Sequence, residues 1–256
     1  MGPWRLELAR LWRTRRAVAL LATFLLLGLG IPVLTYYLPD LVRHAGNGVQ
    51  IIAPKQTPTD AIEGFASNAA QLGTLVVAII TASSVAIDAR PVIAAFYRTR
   101  VQTPAFLLLP RYLTVTAASV AALALGTLGA WYETEILLGH VGAGALLGGL
   151  ALQGLWICFA TSTVTLATTT TRTVAGAVGA SLAALLALAL LGNVAPTSSW
   201  VPTRLSGSTA DLLRHHTTGV WHAILVTALA TLASLAVAID RLRKREPHAA
   251  GSYADG

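Results

Sequence analysis

The chain has 256 residues, of which 55% are apolar and only 11% are charged, with a formal net charge of +7. Since soluble domains carry about a quarter charged residues, this composition excludes a soluble protein and indicates an integral membrane protein. The positive charge does not indicate nucleic-acid binding, because the basic residues gather at the ends of apolar stretches, where they orient the chain and meet anionic lipid.

Residues 3–14 form an amphipathic segment that reads PWRLELARLWRT. On a helix its large apolar side chains share one face, and the arginines lie off that face. These apolar residues are Trp4, Leu8, Leu11 and Trp12. Such a mixture is typical of an elbow helix that lies in the membrane interface. The alternative is a signal peptide, but the apolar run over 17–38 exceeds the usual ~7–15 residues and no convincing cleavage site follows. We therefore expect an uncleaved first span.

Six apolar stretches are long enough to cross a hydrocarbon core, which needs ~20 helical residues. They cover about residues 17–38, 65–87, 112–131, 141–166, 174–191 and 220–239. The segments on one side of these spans carry fourteen Lys and Arg residues, and those on the other side carry four. By the positive-inside rule, both termini lie in the cytoplasm and the protein resides in the cell membrane. The sequence predicts an all-α polytopic membrane protein: an elbow helix and six transmembrane helices in a single domain, 1–247, with a disordered tail, 248–256.

The segments on the outer side differ in predicted structure. Residues 39–64 contain several prolines and glycines and predict a loop. Residues 193–219 predict a short helix at the outer interface, in which Ser208 and Asp211 would form a capping box. The outer turn over 132–140 is short and acidic.

A polar stretch over 88–111 joins the second and third spans and carries four arginines and three prolines. Pro91 is placed to start a short helix, VIAAFYRTR, because proline suits the first helical position. Such a basic helix between two spans is a surface on which a soluble partner can act. An ordinary cytoplasmic loop, basic as such loops usually are, explains this stretch alone equally well.

The predicted spans contain no Asp, Glu, Lys or Arg. Ion-coupled transporters usually hold such groups at depth, so a self-powered transporter is disfavoured, with backbone-coordinated sodium left open. The chain also lacks the Gly-x4-Gly-Lys-Ser/Thr phosphate loop of ATP-binding proteins. If the protein transports a substrate, another subunit supplies the energy.

Hydroxyl and glycine residues crowd the fourth span. Thr161 and Thr165 are candidates to line a substrate path, although hydroxyls that bond back to their own helix are the preferred interpretation. Gly144-x-x-x-Gly148, with Gly149 beside it, permits close approach of another helix.

The histidines on the outer side, including His140 and His222, do not define a metal or haem site. Metal ligands need a fixed geometry and supporting contacts, so solvated histidines are the preferred interpretation. An intramembrane serine protease would need a Gly-x-Ser-x-Gly-like elbow, and the chain has none. We therefore predict no catalytic, cofactor or metal site in this chain.

Together these features resemble the permease subunit of an ABC-2 type (type V) exporter over residues 3–247. WRLELARLWRTRR is similar to the elbow helix of that family, and WVPTRLSGSTADLLRHH to the helices before its sixth span. Asp88 stands where the family usually has a glutamate, and Val101 with PAFLLLPR is similar to the lead into its third span. The chain departs from the family in this aspartate and in lacking the usual glycine of the coupling region.

The resemblance implies a second permease, identical or homologous, and two cytoplasmic ABC ATPase subunits that dock on residues 88–111 and the elbow and bind ATP and Mg²⁺. It implies export of an amphipathic substrate such as a drug, antibiotic, lipid or glycan precursor, with no enzymatic activity in this chain. The implied ATPase-coupling residues are Asp88, Arg90, Phe96, Tyr97, Arg98, Arg100 and Arg111. The alternative function is a non-transporting multi-pass membrane scaffold.

Overall fold

The computed structural model describes Glu7 and residues 10–45, 56–86, 104–171, 173–192, 200–214 and 220–244, where every element is a helix. Glu7 and residues 10–13 are helical and form the described part of the elbow. The remaining helices are α1 (Arg16–Ala45), α2 (Pro58–Asn68), α3 (Thr74–Val85), α4 (Pro104–Leu137), α5 (Ala143–Thr170), α6 (Val174–Gly192), α7 (Arg204–Leu213) and α8 (Val220–Lys244). A π-helical turn, Ala69–Gly73, joins α2 to α3. The predicted coupling helix and the tail after residue 247 lie outside the described residues.

Within the described part of the chain, six helical units are long and apolar enough to cross a bilayer. They are Arg16–Val42, Pro58–Val85, Leu108–Leu137, Ala143–Thr170, Val174–Gly192 and Val220–Lys244. This confirms the predicted all-α polytopic membrane fold. Five of the six helices extend at least four residues past a predicted limit at one end, and the fifth span, Val174–Gly192, extends by one residue. A helix satisfies its own backbone hydrogen bonds beyond the apolar stretch as well as within it.

The prediction that residues 39–64 form a loop is wrong at both of its ends, which are helical. α1 continues to Ala45 with Pro32 and Pro39 inside it, since a membrane helix tolerates the loss of a backbone donor at proline. The second span begins at Pro58 rather than at residue 65. Its start is a capping box, in which the Thr57 amide donates to Asp60 Oδ2 at 2.8 Å and the Asp60 amide donates to Thr57 Oγ1 at 3.3 Å.

The outer turn and the outer helix also differ in detail from the predictions. α4 remains helical to Leu137, so only the end of the predicted 132–140 turn is a turn. The predicted short helix within 193–219 is confirmed as α7, but the predicted capping box at its start is wrong. α7 begins at Arg204, which places Ser208 in its interior, where the Ser208 hydroxyl donates to the Arg204 carbonyl at 2.7 Å.

α1 and α4 form the most extensive helix pair in the described bundle. A Cβ atom added at Gly28 would overlap the carbonyl of Gly126, and one added at Gly126 would lie 2.5 Å from the carbonyl oxygen of Phe24. The two backbones therefore touch directly, which glycine alone permits. The Phe24 side chain is fully buried beside this crossing, against Gly73 of the π-helical turn.

α5 lies at the centre of the bundle and packs against α3, α4, α6, α7 and α8. Two of its buried side chains bond to the second span: Gln153 Nε2 donates to the Ala66 carbonyl at 2.9 Å, and Trp156 Nε1 donates to Thr74 Oγ1 at 3.1 Å. These bonds satisfy polar groups that would be costly to bury alone and fix the second span against α5.

The predicted close approach at the glycines of α5 is confirmed, and the partner is α7. A Cβ atom at Gly149 would lie 2.7 Å from the Thr209 side chain, and one at Gly148 would lie 3.1 Å from Leu212. A Cβ atom at Gly144 would meet nothing within 4 Å. Gly148 and Gly149 therefore form the contact with α7, and Gly144 takes no part in it.

Candidate functional site

Five helix ends meet at one end of the bundle, which we call the basic end. Val85 of α3, Leu108 of α4 and Ala238 of α8 form one buried cluster, and Leu166 of α5 packs against it. The start of α1 joins the same end, because Arg16 Nη1 donates to Ser84 Oγ at 2.8 Å. The first and last membrane helices therefore begin and end on the same side of the bundle.

The two ends of the bundle carry opposite charge. The described basic residues at the basic end are Arg10, Arg13, Arg15, Arg16, Arg111, Arg241, Arg243 and Lys244. The described acidic residues there are Glu7 and Asp240, and the Asp240 carboxylate binds Lys244 Nζ at 2.6 Å. Most of the described acidic residues lie at the opposite end: Asp40, Asp60, Glu63, Glu133, Glu135 and Asp211. This asymmetry extends the bias in basic residues seen along the sequence.

The elbow is attached to the third span by a charged pair. Arg111 Nε donates to Glu7 Oε1 at 3.1 Å, and the Arg111 side chain is only 4% exposed. Sequence reasoning treated Arg111 as an ATPase-coupling residue and overlooked Glu7. The structure directs the Arg111 guanidinium into the protein, toward the elbow, so the pair holds together two parts of the basic end.

The other predicted coupling residues, from Asp88 to Arg100, lie outside the described residues. The helices on either side of them are described. α3 ends at Val85 and α4 begins at Pro104, and Val85 contacts the same cluster as Leu108. The end of α3 and the start of α4 therefore both lie at the basic end, where Arg111 of α4 binds the elbow.

The predicted elbow face separates into a buried and an exposed residue. Leu11 is 5% exposed and belongs to the main core cluster, whereas Trp12 is 59% exposed. Trp4 and Leu8 lie outside the described residues. Arg15, at the corner between the elbow and α1, has a φ of 57°, a left-handed conformation that lets the chain turn sharply into the membrane.

Thr161 and Thr165 are fully buried, and their hydroxyl groups are used inside the protein. Thr161 Oγ1 bonds to the Ile157 carbonyl at 2.8 Å and to Thr116 Oγ1 at 3.0 Å, and Thr165 Oγ1 donates to the Thr161 carbonyl at 2.7 Å. In this conformation Thr161 connects α4 to α5, and both threonines bond back to carbonyl groups of their own helix, as the preferred interpretation proposed.

His140 and His222 have local partners. His140 Nδ1 lies 2.6 Å from Glu135 Oε1, and the His222 ring packs 4.7 Å from the ring of Trp200. No group of three or more His, Cys, Asp or Glu residues in the described part of the chain has the arrangement to hold a metal ion.

The apolar spans and charged ends define a multi-pass, all-α membrane protein. The chain is similar to the uncharacterized transmembrane protein YxlG of Bacillus subtilis (strain 168), with 23% identity over 208 residues that cover 80% of this chain and 81% of the relative. No family model matches the chain, and no solved structure matches it. The relative agrees with the multi-pass class.

Proposed function

We propose that the chain is the permease subunit of an ATP-driven ABC-2 type exporter that moves an amphipathic substrate out of the cytoplasm. A second permease, identical or homologous, completes the path through the membrane. Two separate ABC ATPase subunits bind ATP and Mg²⁺ and hydrolyse the nucleotide, so this chain is itself no enzyme. The protein resides in the cell membrane, and the basic end and both termini face the cytoplasm.

The observation that carries this proposal is that the elbow, the end of α3 and the start of α4 meet at the basic end. The Glu7–Arg111 pair fastens the elbow to α4, and Val85 of α3 and Leu108 of α4 belong to one buried cluster. The segment over 87–103 joins these two helices along the chain. A cytoplasmic subunit that docked on this segment would push on α3, α4 and the elbow together. Rigid-body motion of such packed elements is a common way to alternate access to a path.

The charge distribution along the spans supports an external energy source. From Ala17 to Pro39, from Gly64 to Val85, from Tyr112 to Tyr132 and through α5 and α6, the chain contains no Asp, Glu, Lys or Arg. Coupling to a proton gradient usually requires such groups at membrane depth.

The test is ATP hydrolysis by the complex of this chain with its cognate ATPase in nanodiscs, with and without substrate. Phe96→Ala and Tyr97→Ala should abolish substrate stimulation, because a bulky side chain that fills a pocket in the partner can contribute about 2 kcal/mol or more. Arg98→Ala should have a smaller effect, as rim charges contribute little. Arg214→Ala, at the opposite end, is the matched control and should retain wild-type stimulation.

Two results would overturn the proposal. One is normal substrate stimulation in both aromatic variants. The other is transport by the isolated chain in proteoliposomes under a proton or sodium gradient without any ATPase subunit.

A further inference from the structure

An apolar groove of about 740 Å³ opens beside the elbow. Trp12 of the elbow, Leu21 of α1, and Leu113, Ala117, Ala121 and Leu125 of α4 are among the residues that form its walls. Leu113 and Leu125 are 44% and 45% exposed, so the groove lies on the outward face of the bundle, where a membrane protein meets lipid.

The lining of the groove selects a hydrocarbon ligand. Its hydroxyl-bearing wall residue, Thr114, is buried and donates to the Pro110 carbonyl at 2.6 Å, so this hydroxyl is already used by its own helix. The volume is within the range of roughly 300–1,000 Å³ that is usual for small-molecule sites.

The length of the groove along α4 matches the thickness of one leaflet of a bilayer. The helical rise from Leu113 to Leu125 is roughly 18 Å at ~1.5 Å per residue. Since the hydrocarbon core is about 30 Å thick, one leaflet contributes about half of that. The groove therefore accommodates a chain that enters from one surface and ends near the midplane, as an acyl chain does, and is too short for a membrane-spanning helix.

Two exposed arginines follow the elbow wall of the groove along the chain. Arg13 and Arg15 lie one and three residues after the wall residue Trp12, are exposed, and form no ion pair with any residue that the structure describes. Arg10 differs, because its guanidinium lies 3.7 Å from the Glu7 carboxylate. Arginines at the membrane surface attract anionic headgroups, and an exposed tryptophan beside them is typical of the interface.

We propose that this groove binds one acyl chain of an anionic phospholipid, with the phosphate of the lipid held by Arg13 and Arg15 and the chain lying along α4 beneath Trp12. The site belongs to this chain alone, so its test needs no ATPase subunit and is separate from the test of the exporter function.

The experiment is native mass spectrometry of the purified full chain, equilibrated with phosphatidylglycerol or with phosphatidylcholine of identical acyl chains. One phosphatidylglycerol should remain bound, at least fivefold more tightly than phosphatidylcholine. Arg13→Gln and Arg15→Gln should each weaken phosphatidylglycerol binding about fivefold and weaken phosphatidylcholine binding less, because the choline cation offsets the charge of the phosphate in phosphatidylcholine.

Filling the groove provides the second arm of the experiment. Ala121→Phe should remove the bound lipid, and Ala233→Phe, at an exposed position of α8 away from the groove, is the matched control that should retain it. Ala117→Leu is a smaller filling to use if Ala121→Phe aggregates on size-exclusion chromatography.

Several outcomes would overturn the proposal. Equal lipid binding in the filled variants and the wild type would show that the groove is not the site. Equal affinity for the two headgroups, or no effect of the arginine variants, would show that the arginines do not recognise the lipid. Loss of a dimer in Ala121→Phe, without any lipid in the wild type, would assign the groove to a second copy of the chain.

Discussion

At the scale of single residues, the Glu7–Arg111 pair makes the attachment of the elbow testable. Glu7→Gln should lower the free energy of unfolding by about 1–3 kcal/mol, because it removes the carboxylate charge that lies 3.1 Å from the buried Arg111 guanidinium. The measurement is the thermal unfolding temperature of the purified protein in detergent.

The matched control for this variant is Arg10→Gln. It removes a longer ion pair of 3.7 Å with the same glutamate, in which the arginine is far more exposed than Arg111, and should cost less than about 1 kcal/mol. The double variant Glu7→Gln/Arg111→Gln should cost less than the sum of the two single variants, because the residues share one interaction. Fully additive losses would contradict the pairing.

Local sequence rules predicted single residues unevenly, and the two capping patterns show why. Thr57 with Asp60 and Ser208 with Asp211 both fit a capping box, yet only the first caps a helix. Pro58 at the first helical position was the signal that distinguished them. The Glu7–Arg111 pair could not be predicted, because no local rule joins residues 104 positions apart.

At the scale of helices, the crossing of α1 and α4 sets a strict steric limit. Gly28→Ala should destabilise the protein by at least about 1–3 kcal/mol, because its methyl group would overlap the Gly126 carbonyl and force the helices apart. Gly30→Ala is the control, since a Cβ atom there meets nothing within 4 Å. It should leave stability unchanged or raise it by up to about 1 kcal/mol.

The measurement for both glycine variants is the unfolding temperature together with the yield of monodisperse protein on size-exclusion chromatography. If Gly28→Ala and Gly30→Ala behaved alike, the direct backbone contact between α1 and α4 would be refuted.

The contact between α5 and α7 permits a rescue experiment. Gly149→Ala should lower the unfolding temperature, because a Cβ atom there lies 2.7 Å from both Cγ2 and Oγ1 of Thr209. Thr209→Ala removes both atoms, so the double variant should recover most of the loss, while Gly144→Ala should be neutral. No recovery in the double variant would show that the clash is not with Thr209.

The sequence predicted the helices better than their contacts. Long apolar stretches can be recognised because a bilayer requires about 20 helical residues to cross it. Gly144-x-x-x-Gly148 can be recognised from sequence as a known packing motif. The closest helix crossing instead uses Gly28 and Gly126, which lie on different helices and follow no spacing rule. Pro39 was predicted to lie in a loop, yet α1 continues through it, because the effect of a proline depends on the environment of the helix.

At the scale of the whole molecule, the unequal charge of the two ends predicts the orientation in the membrane. In a Cys158→Ala background, Gly207→Cys on α7 should react with an impermeant thiol reagent added outside intact cells. Lys244→Cys, which is also exposed but lies at the basic end, should react only after the membrane is permeabilised. The reverse pattern of labelling would invert the orientation.

The overall charge pattern was accessible from sequence because the positive-inside rule depends only on counts near the spans. The groove beside the elbow was not, since its walls come from three parts of the chain that approach one another only when α1 packs against α4. The predicted coupling residues from Asp88 to Arg100 remain a prediction, because the described residues end on either side of them.

The crossing of Gly28 and Gly126 has a consequence for biosynthesis. Gly126 is the 98th residue that the ribosome adds after Gly28. At ~5–20 residues per second, α1 waits for roughly 5–20 s in the membrane before its main partner emerges. During that interval the surface of α1 around Gly28 is available to other helices, including the second span as it leaves the translocon. Nascent chains stalled before α4 would therefore present a first helix that lacks its main packing partner to the quality-control proteases of the cell.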